Sequence, residues 1–157
     1  MTPLVYVIVL NWNGKEHLPV CLGSLRRLSY PNARTLLVDN GSTDGSREYA
    51  RTAFPEVEIL PIEKNIGFAA ANNRGMRLAL ERGADYVALL NNDMEVDPGW
   101  LSALTAAAES DPAIGVCATK LLYFGRRDLI QGIGVRPNRD GVGWDYLHGR
   151  YDLPGLA

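Results

Sequence analysis

Residues 86–90 form an apolar run that stops abruptly in two amides and a carboxylate, Asn91, Asn92 and Asp93. A continuous apolar run of this kind reads as a strand covered on both faces. Open α/β sheets bind ligands in the crevice outside the carboxyl ends of their strands. A carboxylate delivered there can hold Mg2+ or Mn2+ against the phosphate oxygens of a nucleotide diphosphate. Mg2+ takes only one or two protein carboxylates, because phosphate and water complete its shell. The cation neutralises charge that develops as the bond to the diphosphate breaks. Asp93 is therefore the expected metal ligand. The same residue types also make good polar turns, so the motif alone leaves both readings open.

Two further apolar runs end in the same way. Residues 36–38 lead into Asp39, Asn40, Gly41 and Ser42, and residues 5–10 lead into Asn11, Trp12, Asn13 and Gly14. Asp39 could accept the imide N–H of a uracil or thymine ring, while Asn11 and Asn13 could line a base or ribose pocket beneath Trp12. Each segment is also plausible turn chemistry, with Ser42 or Thr43 capping the next helix. Asn72 and Asn73 fall where a helix is expected and lower its propensity. A departure from local preference points to function. Asn73 could then face the crevice, with Arg74 or Lys64 adding positive charge near a phosphate, while an exposed polar helix face is the other reading of the pair. Asp44, Glu48, Glu56, Glu58, Glu81 and Glu109 read as solvated charges. His17 and His148 have no sequence partner that would make either a general base.

The elements that must carry these residues alternate. Strands are expected over residues 4–10, 34–38, 57–61 and 85–90, with helices over 15–28, 42–53, 68–82 and 97–109. This order favours a parallel sheet with helices on its faces. A fifth strand is expected over residues 114–119. Beyond residue 125, glycines at 132, 134, 141, 143, 149 and 155 break every core period. Residues 125–157 are thus expected as a Gly-rich, irregular hairpin-and-loop tail on a core spanning 1–124.

The chain has 157 residues and a formal net charge of −2. That length predicts one domain. The near-neutral charge argues against a nucleic-acid footprint, although one cation can reverse the field at a small site. Cys21 and Cys117 lack metal-ligand spacing and read as reduced core thiols of a cytosolic protein. No basic leader and no membrane-length apolar segment is visible. The expected location is cytoplasmic, and peripheral attachment at the inner face of a membrane remains compatible with it.

In sequence order, four segments resemble the family 2 glycosyltransferases of the GT-A fold, especially their rhamnosyltransferase-like bacterial branch. They are Val9-Leu10-Asn11-Trp12-Asn13-Gly14, Val38-Asp39-Asn40-Gly41-Ser42-Thr43-Asp44-Gly45, Asn65-Ile66-Gly67-Phe68-Ala69-Ala70-Ala71-Asn72-Asn73-Arg74-Gly75 and Leu89-Leu90-Asn91-Asn92-Asp93. The resemblance covers residues 4–120 well and extends more loosely to 149. It implies a Rossmann-like, mostly parallel sheet. It also implies a UDP- or dTDP-linked sugar donor held by Asn11, Asn13, Asp39, Asn73, Asn91, Asn92 and Asp93. Asp39 would contact the base, and Asp93 would match the last acid of the family's DxD motif. Asn91 stands where the first acid would be, which leaves carboxylate ligation of Mg2+ or Mn2+ to Asp93 and suggests modest metal affinity.

The resemblance further implies inverting transfer of a hexosyl or rhamnosyl group to a saccharide or lipid-linked acceptor, as in cell-surface polysaccharide biosynthesis. The family's general base comes from a Glu-Asp type motif in an acceptor-binding half, and no such motif precedes residue 157. Asp140, Asp145 and Asp152 lack its context. The chain is accordingly expected to be the donor-binding half of a longer enzyme. A nucleotidyltransferase or a nicotinamide-dependent dehydrogenase would need a glycine-rich turn after the first strand, and the turn here has a single glycine. A non-catalytic nucleotide-sugar-binding module is the remaining alternative.

Overall fold

The computed structural model describes residues 2–153 and Gly155. The end of the expected tail, residues 154, 156 and 157, lies outside the described residues. Four parallel strands form one sheet: β1 (Val5–Asn11), β2 (Ala33–Asn40), β3 (Glu58–Ile62) and β4 (Tyr86–Asn91). Their order is β3-β2-β1-β4. The helices between and after them are α1 (Leu18–Leu25), α2 (Ser46–Ala53), α3 (Phe68–Glu81) and α4 (Trp100–Glu109). The expected α/β architecture is therefore present.

Alternation along β1 divides the core in two. Val5, Val7 and Val9 pack with Leu18, Leu22 and Leu25 of α1 and Ala50 of α2. Tyr6 and Ile8 point the other way and pack with Leu36, Val38 and the Ala71 and Ala79 of α3. Each fully buried Leu or Ile contributes roughly 1.5–3 kcal/mol. Helix α3 comes close to the sheet through Ala71, Gly75 and Ala79, which share its buried face. A Cβ on Gly75 would lie 2.8 Å from Val38 Cγ2 and 3.0 Å from Ile8 Cγ2.

Several boundaries differ from expectation for local reasons. Residues 15–17 form a turn and α1 begins at Leu18, with Pro19 in its first positions, where its missing N–H costs least. Helix α2 begins later than expected, at Ser46. Its cap is Gly45 in the left-handed region, and Asp44 Oδ1 accepts the Ser46 N–H at 3.0 Å. Ser42 and Thr43 therefore do not cap it. Helix α3 ends at Glu81 with Arg82 as its cap, one residue before the expected end, and Gly83, at φ +82°, turns the chain just beyond it.

The covered-strand reading of residues 86–90 is corrected. β4 is the outer strand of the four, and Leu89 is 48% exposed. The pattern belongs instead to β1, which lies between two strands and two helical layers.

The chain divides into two compact units, Met1–Ala103 and Leu104–Ala157. In the second, β5 (Lys120–Tyr123) pairs antiparallel with β6 (Arg126–Ile133), and β7 (Val135–Pro137) with β8 (Gly143–Asp145). The strand expected over 114–119 is irregular here. Counting back from the tight turn after Tyr123, the hairpin register runs out at Lys120 opposite Ile133. Gly134, at φ +71°, then ends β6 and leaves no partner backbone in that ladder for 114–119. No described helix is long and apolar enough to cross a membrane.

Candidate functional site

Strand register brings the three polar strand ends to one edge. Asn11 lies opposite Asp39 across β1 and β2, and Leu10 opposite Asn91 across β1 and β4. Because side chains alternate along a strand, this edge has two sides. Asn11 and Asp39 follow Val9 and Leu37 toward α1 and α2. Asn40 and Asn91 follow Val38 and Leu89 toward α3.

On the α3 side lies a cavity of about 340 Å3. Its floor is Leu10, Asn40 and Asn91, and Asn92 and Asp93 continue it beyond β4. Trp12 and Phe68, 57% and 61% exposed, supply two aromatic walls, and Asn65 completes the lining. The loop carrying Asn65 is fastened to the sheet by Asn40. Asn40 Nδ2 donates to Asn65 Oδ1 at 3.0 Å, and Asn40 Oδ1 accepts the Ile66 N–H at 3.0 Å. Asn65 Oδ1 also accepts the Gly67 N–H at 2.8 Å. Gly41 is required where this loop crosses the end of β2. Its φ is +82°, and a Cβ would lie 2.7 Å from the Lys64 backbone.

On the other side is a buried hydrogen-bond network. Asn11 is fully buried. Its Oδ1 accepts Asn92 Nδ2 at 2.7 Å. Its Nδ2 faces Ser46 Oγ at 3.0 Å, Ser42 Oγ at 3.1 Å and Asp39 Oδ1 at 3.4 Å. Asp39 is also fully buried, and its Oδ2 accepts both Nε and Nη2 of Arg47, at 2.9 and 2.7 Å. Such charge-assisted bonds are the strong ones in a site. Asn13, at φ +50°, turns the chain so that its Oδ1 accepts the Thr43 N–H at 2.8 Å. The Asn13 N–H donates in turn to Ser42 Oγ.

Two titratable groups are shaped by these surroundings. Burial, helped by the negative charge of Asp93, pushes the Cys21 thiol up to about 12. Its Sγ donates to the Asn91 carbonyl at 3.8 Å. Burial would raise Asp44, but hydrogen bonds from the Ser46 hydroxyl and from the Lys15 and Ser46 N–H groups hold its carboxyl below the usual range. Asp44 is thus a tie between the β1 and β2 loops, which corrects its reading as a merely solvated charge.

The expected site residues are distributed unevenly. Asn91, Asn92 and Asp93 line the cavity, while Asn11, Asn13 and Asp39 lie in or beside the network. Asn73 is exposed on α3 and is not among the cavity's lining; its neighbour Asn72 is buried, donating from Nδ2 to the Phe68 carbonyl at 3.1 Å. Phe68, Asn40 and Asn65 were not singled out from sequence as site residues, and neither was Arg47. Strand parity was the available signal for Asn40: of two adjacent polar residues at a strand end, only one can face α3. Among the described residues no group of three or more His, Cys, Asp or Glu side chains comes together. A cation would rest on the Asp93 carboxylate, an arrangement that suits Mg2+ or Mn2+ shared with phosphate and water.

A sequence model described as glycosyl transferase family 2 matches residues 6–149. The chain belongs to this family. Among curated members, it is 33% identical over 123 residues to an N-acetylglucosaminyl-diphospho-decaprenol L-rhamnosyltransferase of Mycobacterium tuberculosis, covering 73% of this chain and 40% of that one. It is 34% identical over 115 residues to an undecaprenyl-phosphate mannosyltransferase of Micrococcus luteus, covering 71% and 47%. The chain thus spans less than half the length of these relatives. Among solved structures, the mannosyltransferase PcManGT from Pyrobaculum calidifontis, in complex with GDP-Man and Mn2+, superposes with a TM-score of 0.67 at 24% identity. That match covers 77% of this chain and 36% of the other. TarS residues 1–349 from S. aureus, in complex with UDP-GlcNAc, gives 0.61 at 17% identity, covering 76% and 41%. These likenesses establish the GT-A fold of this family 2 chain.

Proposed function

We propose that this chain binds the nucleotide-diphosphate-sugar donor of a glycosyl transfer, with a divalent cation resting on Asp93. One observation carries the reading. Asp93 is exposed at the end of β4, in a cavity that also offers free amide groups and two aromatic walls. Such a lining suits a ligand that is part ring and part diphosphate. Trp12 and Phe68 would cover ring faces. Asn91 and the Nδ2 of Asn65 would donate to oxygens of the sugar or diphosphate, and Asn92 Oδ1 would accept from a hydroxyl. When bound, Mg2+ or Mn2+ would supply charge neutralisation at the leaving diphosphate.

The base is assigned to the Asp39 side. With Oδ2 committed to Arg47, Oδ1 holds only the long contact from Asn11. It is the oxygen available to a uracil or thymine imide N–H. Because Asp39 is fully buried, the base reaches it by a local rearrangement of the network around it. UDP- or dTDP-linked sugars are accordingly the preferred donors, and the transferred group is a hexose or deoxyhexose. The names of two relatives, which carry decaprenol and undecaprenyl phosphate, support a saccharide or lipid-linked acceptor; inversion at the sugar carbon and a place at a cytoplasmic membrane face belong to the same proposal.

Asp93 is the single carboxylate among the cavity's lining residues. That favours a second reading for this segment by itself: donor binding without turnover, the base for the acceptor hydroxyl being supplied elsewhere. Hydrolysis and transfer assays run beside binding separate the two.

Calorimetry with UDP and Mn2+ tests the main reading. Asp93→Ala is expected to abolish the metal-dependent part of binding while far-UV dichroism and melting stay near the parent. Asp39→Asn is expected to weaken UDP by about one to two decades, since an imide donor then meets a mismatched partner at a cost of about 1–3 kcal/mol, and to leave GDP little changed. Unaltered Mn2+-dependent affinity in Asp93→Ala would refute the assignment of the cation.

A further inference from the structure

The Asn11 side chain touches both sides of the strand edge. Its carbonyl oxygen takes the Asn92 amide at 2.7 Å, one residue before Asp93, and its amide reaches Ser46, Ser42 and Asp39 on the far side. It has no exposed surface, so it is poorly placed to contact a ligand directly. The junction is also tightly built. A Cβ on Gly14 would lie 2.0 Å from Asn92 Nδ2 and 2.9 Å from Asn11 Oδ1. The chain therefore keeps a glycine where any side chain would push the Asn92 amide off Asn11.

We infer that Asn11 is a positioning residue that fixes the Asn92–Asp93 turn and so sets where Asp93 presents a cation to a diphosphate. An amide is suited to this place because it both accepts and donates. Leu in its place would leave the Asn92 amide without its acceptor. Asp would set a second carboxylate beside Asp39. Asn11 thus acts through Asn92 on Asp93, while its other contacts lock it to β2 and α2. The inference rests on the reading of Asp93 as the cation-bearing residue, and adds that its geometry is held from β1.

The measurable quantity is the metal gain, the ratio of UDP dissociation constants without and with Mn2+. UMP without metal reports the base and ribose alone. Asn11→Ala is expected to reduce the metal gain about tenfold, over and above any loss of UMP affinity that follows from its contact with Asp39. Gly14→Ala keeps the Asn11 side chain but crowds the Asn92 amide and Asn11 Oδ1 at their junction, so it is expected to reduce the gain similarly. It keeps the test available if Asn11→Ala folds poorly. A general loss of stability would lower the melting temperature but leave the ratio unmoved. If the parent shows a metal gain and both variants retain it, or if UMP weakens as much as Mn2+-UDP, the positioning role is overturned and the donor reading stands. A parent with no metal gain overturns both.

Discussion

Amides rather than acids occupy most of the strand ends, and their burial decides what each can do. Asn11 and Asn72 are buried and spend their hydrogen bonds on the protein, whereas Asn91 and Asn65 are exposed at a cavity. Sequence shows the residue types but not this division, so Asn11 and Asn91 look alike there. Cys21 illustrates a similar point, since its place beneath Asn91 and near Asp93 makes it a reporter of the site. Its folded value of about 12 lies above the ordinary 9.0. A raised value favours the neutral thiol in the folded state, so the stabilisation is fully present below pH 9 and is lost as pH rises from 9 toward 12. A full three-unit shift corresponds to roughly 4 kcal/mol at most. Urea melts between pH 8 and 11 are therefore expected to show a steeper fall for the parent than for Cys21→Ala. Native Cys21 should also resist iodoacetamide at pH 8. Parallel pH profiles for the two proteins would show that the thiol does not titrate differentially.

At the scale of elements, the strand-helix alternation was legible because each apolar run has a distinct period and ends in turn chemistry. What was not legible is pairing. The apolar character of residues 86–90 suggested a strand covered on both faces, yet β1 takes that place and β4 the outside. The fifth strand failed for a related reason, because the β5–β6 register is set by a turn and a positive-φ glycine, not by the hydrophobicity of 114–119. Helix α3 shows how much a single residue fixes. Gly75 costs about 1 kcal/mol in helix propensity relative to Ala, but a Cβ there would meet Val38 and Ile8 at 2.8 and 3.0 Å. Overpacking costs typically 1–3 kcal/mol, so the contact outweighs the propensity. Gly75→Ala is expected to be destabilised by about 1 kcal/mol, and Gly75→Val by more than 2 kcal/mol. Because α3 starts at Phe68, the larger variant should also weaken UDP binding. A more stable Gly75→Ala in urea would mean that the helix has room to retreat from the sheet.

For the molecule as a whole, the sheet is asymmetric in a way that has consequences for this chain in solution. Outer strands present backbone groups to other chains and are ordinarily blunted by charge, proline or bulges. β3 is blunted in this way, with Pro61 exposed within it and Glu58 paired to Arg34 and Arg82. β4 carries no charged residue and no proline between Tyr86 and Asn91, and Leu89 stands 48% exposed. Exposed apolar surface on an outer strand favours self-association. The chain is therefore expected to associate with rising concentration, seen as a growing sedimentation coefficient or light scattering. Leu89→Lys should suppress that growth. It points to the α3 side but stands half exposed there, so its effect on melting should be within about 0.5 kcal/mol. Association that is equal in parent and Leu89→Lys would move the sticky surface elsewhere, and Trp12 and Phe68 at the cavity mouth would be the next pair to change. Suppression by UDP with Mn2+ would then distinguish them, because ligand in the cavity covers those two rings and leaves Leu89 as it was.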